Sequence, residues 1–124
     1  MHDRDRETRD RLLQVAARRF ATDGFSKVTV RDICKKARAN VAAVNYHFGG
    51  KAGLYEAVLR MAIRIMQGTT EEALKAGEGL APEEQLGAYV SVFLRRVSEG
   101  RNSWIHQLMT VSYTHLTLPT NSRV

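Results

Sequence analysis

The chain has 124 residues, enough for one ordinary domain or for a small domain and part of another. A hydrophobic fraction of 44% supports a folded core, and no apolar run approaches the roughly 20 residues of a membrane span. The charged N-terminus is unlike a signal peptide, and the single cysteine, Cys34, excludes an intramolecular disulfide. These features predict a cytoplasmic protein without a membrane partner.

The formal net charge of +6 is carried by the first half of the chain. Residues 1–60 contain 13 lysines and arginines against 7 acidic residues, whereas residues 61–124 contain six of each. A basic segment of this kind is typical of proteins that attract the phosphates of double-stranded DNA. For residues 4–11, simple solvation of a helix face remains an equally open explanation.

A first helix is predicted over residues 8–23, because apolar residues recur there at spacings of three and four. These residues are Leu12, Leu13, Ala16, Ala17 and Phe20. Gly24 suits the position just after the helix, and Phe25 supplies the hydrophobic contact that often follows such a stop.

Two short helices with a tight turn are predicted next. Thr29 is a suitable N-cap, and Asp32 lies where its carboxylate can return a hydrogen bond to the Thr29 amide, as in a capping box. Residues 37–40 make the turn, and Asn40 is a suitable N-cap for a third helix over residues 41–47. Phe20 and Phe25 are expected to form a core with Val30, Ile33, Val44 and Phe48.

The third helix is expected to present a polar, outward face, because Val44 and Phe48 point inward. The outward side chains are Val41, Ala42, Asn45, Tyr46 and His47. A helix with this surface suits a DNA major groove, which is the helix-turn-helix pattern. The Asn45 amide can pair bidentately with adenine, while Val41, Ala42 and Ala43 can contact thymine methyl groups. Thr29 and Arg31 open the second helix, where a phosphate can bind, although capping alone also explains Thr29.

A long fourth helix is predicted from Lys51 to about residue 74, followed by a loop over residues 75–81. Its two halves are expected to join different cores, either as a lever or as a plain linker. Pro82 suits the first position of a fifth helix, and Ser103 can cap another. The expected apolar face of the fifth helix contains Leu86, Tyr89, Val90, Phe93, Leu94 and Val97.

Residues 28–55, with residues 45–51 at their centre, resemble the DNA-binding domain of the TetR family of one-component repressors. The resemblance covers roughly residues 8–60, and residues 40–51 are similar to a CecR-like subgroup. The resemblance implies phosphate contacts by Tyr46, His47 and Lys51, although an unrelated tyrosine at position 46 would more often be part of the core. The family usually has glycine where this chain has Arg38, which predicts a positive φ there.

The resemblance implies an all-α protein whose fourth helix connects the DNA-binding domain, residues 1–50, to a ligand-binding and dimerisation domain that begins within residues 51–110. Residues 111–120 look like a translated sequencing adapter, so residues 111–124 are interpreted as a non-native tail; a short C-terminal strand is the alternative. The native product is therefore expected to continue beyond Thr110. The apolar side chains that would then lack part of their cover are Leu86, Tyr89, Phe93, Leu94, Trp104 and Leu108.

The predicted function is a ligand-responsive repressor that binds a palindromic operator through residues 41–47. A homodimer and a small-molecule effector are expected for the full-length protein, and the dimer is doubtful for this chain. The alternative is a non-functional fragment or a helical adaptor. No enzyme, cofactor or metal site is expected, because no acid is spaced to orient His47 beside Cys34 and the histidines lack metal-ligand spacing. Cys34 is interpreted as a buried hydrophobic residue, with a redox sensor as the alternative.

Overall fold

The computed structural model describes residues 2–100 and 103–111, and the regular secondary structure of these residues is entirely helical. The helices are α1 (His2–Asp23), α2 (Val30–Ala37), α3 (Val41–Phe48), α4 (Lys51–Ala76) and α5 (Pro82–Ser98), and residues 103–111 form α6. The predicted all-α class is therefore confirmed. Within the described residues, no helix has the length and apolar character needed to cross a membrane.

Helix α1 begins at His2 rather than at the predicted residue 8. The prediction missed these residues because they are charged and show no apolar period. Their charges nevertheless favour a helix, since Asp3 and Asp5 lie in the positively polarised first turn.

Both predicted N-caps of the helix-turn-helix segment are present. The Thr29 hydroxyl accepts a hydrogen bond from the Asp32 amide at 3.1 Å, and the Asn40 side-chain oxygen accepts one from the Ala43 amide at 2.9 Å. The Asp32 carboxylate lies 3.9 Å from Arg19 Nη2, so its described partner is α1 rather than the Thr29 amide expected in a capping box. The boundaries of α2 and α3 therefore depend on hydrogen bonds within each segment.

Arg38 occupies the left-handed region, with φ 56° and ψ 49°, as the turn predicted. Its amide donates to the Cys34 carbonyl oxygen and closes the C-terminus of α2. Among the described residues, Arg38 is the one non-glycine residue with a positive φ. A side chain in this conformation costs about 1 kcal/mol or more, because Cβ approaches the backbone.

Replacing Arg38 by glycine is expected to raise the free energy of unfolding by about 0.5–1 kcal/mol, because relief of the Cβ strain exceeds the added freedom of the unfolded chain. Urea denaturation followed by circular dichroism measures this change. Arg38→Ala retains Cβ and its strain, so it controls for loss of the guanidinium group. A glycine variant less stable than the alanine variant would contradict the prediction.

The described residues form two compact units, one containing residues 2–59 and 104–111 and the other containing residues 60–100 and 103. In the first unit, Phe20 is fully buried between helices, and its ring centroid lies 5.9 Å from that of Phe25. The Tyr55 ring packs edge-on against Phe20 at 5.0 Å. Ile33 and Val44 are fully buried, as predicted. The boundaries predicted at residues 50 and 110 remain predictions.

Three members of the predicted core are less enclosed than expected, the half-buried Phe25 among them, and other residues join the core. Val30 and Phe48 are only half-buried, and the Arg9 guanidinium lies 5.2 Å from the centre of the Phe48 ring. Val28 and Leu54 are fully buried. The burial of Leu54 agrees with the expectation that the first half of α4 joins this core. Val28 was not predicted, because it precedes α2 and helical spacing does not reveal burial in a loop.

Helix α6 corrects one expectation about the C-terminal part. Trp104 and Leu108 were expected to lack cover, but they are 8% and 0% exposed within the first unit. The Ser103 hydroxyl donates to the Gly100 carbonyl oxygen at 3.0 Å. Val111, the first residue of the predicted tail, is still helical, and residues 112–124 lie outside the described part of the chain.

In the second unit, α5 begins with Pro82 at its first turn, and Glu83 and Glu84 follow, as predicted. The apolar face of α5 is only partly packed, because Leu86 and Leu94 are 64% and 56% exposed. The buried residue of this helix is Val92. The stripe identified an apolar face but not its packing partner.

An ion-pair cluster also lies in this unit. The Glu72 carboxylate accepts hydrogen bonds from Arg95 Nη2 at 3.0 Å and Arg96 Nε at 3.0 Å. The bond to Arg96 lowers the pKa of Glu72. The pair is exposed, so it contributes little to stability.

Candidate nucleic-acid interface

Helix α3 exposes four of the five side chains that the sequence predicted to face outward, and the fifth, His47, is half-buried. Tyr46 is 76% exposed and Val41 is 44% exposed, and Ala42 and Asn45 are also exposed. Ala43 is half-buried, so it offers less surface than the prediction assumed. The exposed set combines an amide with apolar groups, which are the groups that read base edges in a major groove.

His47 is half-buried and packs against its neighbours, whereas Tyr46 projects from α3. The two ring centroids are 4.9 Å apart with the planes at 81°, and the Phe48 ring is 6.1 Å from that of His47. The edge-to-face arrangement restricts the orientation of Tyr46. The Tyr46 side chain is 76% exposed, so its phenolic hydroxyl is accessible to solvent.

The start of α2 offers a second group of predicted contacts. Thr29 is exposed and caps the helix, so one lone pair of its hydroxyl oxygen already accepts the bond from the Asp32 amide. Its hydroxyl proton is still available for a phosphate oxygen, because a hydroxyl both donates and accepts. Arg31 is exposed in the first turn of α2. Helix dipole, hydroxyl and guanidinium group all favour an anion at this end.

Lys51 begins α4 and is half-buried. Its ammonium nitrogen lies 4.2 Å from the centre of the Phe25 ring, which is a cation–π contact within the first unit. An ammonium group has three donors, and a ring face occupies only one side of it. The contact therefore fixes the position of Lys51 while leaving donors for a phosphate.

A groove of about 430 Å³ lies beside α3 and contains residues that the sequence analysis did not assign to the site. Its walls are the first turns of α1, the α2–α3 turn and one side of α3. The arginines that line it are Arg11 and Arg38. The mixed charges of residues 4–11 were the only sequence signal, and they do not show which side chain approaches α3.

Cys34 is buried on α2, with 4% of its surface exposed. Burial raises the pKa of its thiol, because the charged thiolate is poorly solvated there. The thiolate is the reactive form of cysteine, so this environment makes Cys34 inert. These observations support the interpretation of Cys34 as a buried hydrophobic residue and disfavour the redox sensor.

Residues 12–58 match the family profile of bacterial regulatory proteins of the TetR family. This segment contains the two caps, the left-handed turn and the exposed face of α3 described above. It stops before α5 and α6, so the match concerns the helix-turn-helix part of the chain. The CecR-like subgroup remains a prediction.

Curated relatives extend the match beyond that segment. The chain is 35% identical over 79 residues to the probable HTH-type transcriptional regulator YttP of Bacillus subtilis, covering 64% of this chain and 38% of the relative. It is 35% identical over 86 residues to the HTH-type transcriptional repressor KstR2 of Mycolicibacterium smegmatis, covering 68% and 41%. For the HTH-type transcriptional regulator TtgR of Pseudomonas putida, identity is 27% over 107 residues, covering 83% and 49%.

The matched segments span less than half of each of these relatives. The relatives are regulators of transcription rather than enzymes, in agreement with the prediction made from the sequence. Residues 12–58 therefore form the N-terminal, helix-turn-helix domain of the TetR family of bacterial regulatory proteins.

Proposed function

We propose that the chain is a DNA-binding transcriptional repressor in which α3 reads base pairs in the major groove. The observation that carries the proposal is the exposed face of α3, where Asn45 and Tyr46 project from a helix with both ends capped. The restriction of the net positive charge to residues 1–60 supports a phosphate-rich partner. The relative KstR2 is named as a repressor, which supports the direction of regulation.

Roles follow from the position of each side chain. Asn45 reads a base edge, and Val41 and Ala42 contact thymine methyl groups, with Ala43 as a minor contributor because it is half-buried. Phosphates are bound by Thr29, Arg31, Tyr46, His47 and Lys51. For the whole protein we infer a homodimer, a palindromic operator and a small-molecule effector, on the basis of membership of the family.

Selection of binding sequences from a pool of random DNA duplexes tests the proposed function. The 124-residue chain is expected to enrich a shared short motif, because α3 presents specific donors and acceptors. If two chains bind together, the motif should recur as an inverted repeat with centres one helical turn apart, about 34–36 Å. A pool without any shared motif would favour the non-functional fragment or helical adaptor.

Lys51→Ala is expected to weaken binding to all duplexes about equally and to reduce the slope of log K against log salt by about 0.9, the value for one phosphate contact. Fluorescence anisotropy with a labelled random duplex over a series of KCl concentrations measures both quantities. Lys75→Ala removes the same charge from the last turn of α4 and is the matched control. Unchanged affinity and slope for the Lys51 variant would remove Lys51 from the interface.

A further inference from the structure

The groove beside α3 is built from residues far apart in the chain. Asp5, Thr8 and Arg11 of α1 line it together with Arg38, Tyr46 and His47. The α1 wall lies before residue 12, where the TetR family profile begins to match. The groove is therefore partly formed by a segment that the family match does not cover.

Arg11 is held in a fixed position at this groove. Its Nε donates a hydrogen bond to the Ala37 carbonyl oxygen at 3.0 Å, across 26 residues of sequence. A guanidinium group has five N–H donors, so this bond uses one and leaves those on the two terminal nitrogens. Anchoring reduces the entropy that Arg11 would lose on binding a ligand. The terminal nitrogens are suited to bidentate contact with a phosphate.

Arg38 provides the second cation, at the strained position of the α2–α3 turn. Its backbone is left-handed, with φ 56°, where glycine would be relaxed. Strained residues concentrate at functional sites, where the side chain has a use that offsets the strain. The side chain of Arg38 is exposed and lines the groove.

The charge of the groove favours an anion. Arg11 and Arg38 are opposed by one carboxylate, that of Asp5. In the described part of the chain, neither arginine forms an ion pair with an acidic side chain. The positive charges of two guanidinium groups without carboxylate partners repel each other. An anion that contacts both groups reduces this repulsion.

We propose that this groove binds a backbone phosphate of the DNA, held by Arg11 and Arg38 with the Thr8 hydroxyl beside them. The inference rests on the proposed function, because the groove shares Ala42 and Tyr46 with the face of α3 that reads the bases. When a protein helix lies in the DNA major groove, the DNA strands that border it place their backbone phosphates beside that helix. The contact adds affinity without sequence preference and sets the depth at which α3 enters.

Arg38→Gly separates this role from a structural one, because it moves stability and binding in opposite directions. The variant is expected to melt at a higher temperature but to bind a random-sequence duplex roughly five- to tenfold more weakly at about 0.1 M KCl. The salt slope should decrease by about 0.9. Arg11→Ala should have the same effect on binding. Arg18→Ala, an exposed arginine of α1 outside the groove, should leave both quantities unchanged.

Asp5 supplies a test in the opposite direction. Asp5→Asn removes the acidic group from the groove and is expected to strengthen binding severalfold. Asp3→Asn changes the net charge equally in the same helical turn but outside the groove, so it should have a smaller effect. Each change removes one favourable charge from the first turn of α1 and leaves the core intact, so both variants should lose a similar, small amount of stability.

The outcomes distinguish this inference from the proposed function. If the wild-type chain binds no duplex, the proposed function fails and the phosphate groove fails with it. If the wild type binds and Lys51→Ala weakens it, but Arg38→Gly and Arg11→Ala retain the wild-type salt slope, only the groove is refuted. Equal effects of Asp5→Asn and Asp3→Asn would also refute it, since the gain would then reflect net charge alone.

Discussion

Replacing Phe20 by alanine is expected to lower the free energy of unfolding by about 3–5 kcal/mol, the largest effect of any single change considered for this chain. Phe20 is fully buried in the first unit, and its ring contacts those of Phe25 and Tyr55 at centroid distances of 5.9 and 5.0 Å. The substitution removes the ring, leaves a cavity and disrupts the aromatic cluster. A loss of this size approaches the whole stability of a small domain.

Urea denaturation followed by circular dichroism measures the loss. Phe93→Ala makes the same chemical change at a side chain that is 44% exposed and should cost about 0.5 kcal/mol or less. Leucine in Phe20→Leu fills most of the space left by the ring, so its loss of unfolding free energy should lie between those of the two alanine variants. A cost below about 1 kcal/mol for Phe20→Ala would show that the first unit does not depend on this ring.

Asn45→Ala is expected to weaken binding to the selected operator by about 1–3 kcal/mol, while binding to random DNA changes little. Asn45 is exposed in the middle of α3, where its amide can donate and accept at one base. Its carbonyl oxygen on the backbone accepts the bond from the Gly49 amide at 3.0 Å that ends α3. The substitution keeps that bond, so the helix should remain intact.

Titration of labelled operator and random duplex by anisotropy gives both affinities. Gln67→Ala removes an exposed amide from α4 in the second unit and should affect neither. If Asn45→Ala weakened binding to both duplexes equally, Asn45 would belong with the phosphate contacts instead of the base contacts.

The starts of α2 and α3 followed from the sequence, because each depends on residues only a few positions apart. Thr29 and Asn40 cap α2 and α3 through amides three residues ahead. The left-handed turn at Arg38 follows from the end of α2. The outward face of α3 followed from the spacing of Val44 and Phe48, and the exposure of Tyr46 agrees with it. Such short-range signals remain in the sequence regardless of how the rest of the chain packs.

Other features were decided by tertiary structure. The sequence could not show that Lys51 lies over Phe25, or that Asp32 lies near Arg19 rather than returning a bond to Thr29. Nor could helical periodicity show that Val92 is buried while Leu94 is exposed, since a stripe does not specify its partner.

The groove shows the same limit for the candidate site. Arg11 reaches the Ala37 carbonyl oxygen across 26 residues, and this contact brings the first turns of α1 beside α3. The sequence by itself determined that α3 is a capped helix with a polar outer face and that positive charge surrounds it. Only the tertiary structure decided which arginine lies next to that face. Buried residues such as Leu12 and Ile33 pack the helices together, and this packing sets distances between residues that are far apart in the sequence.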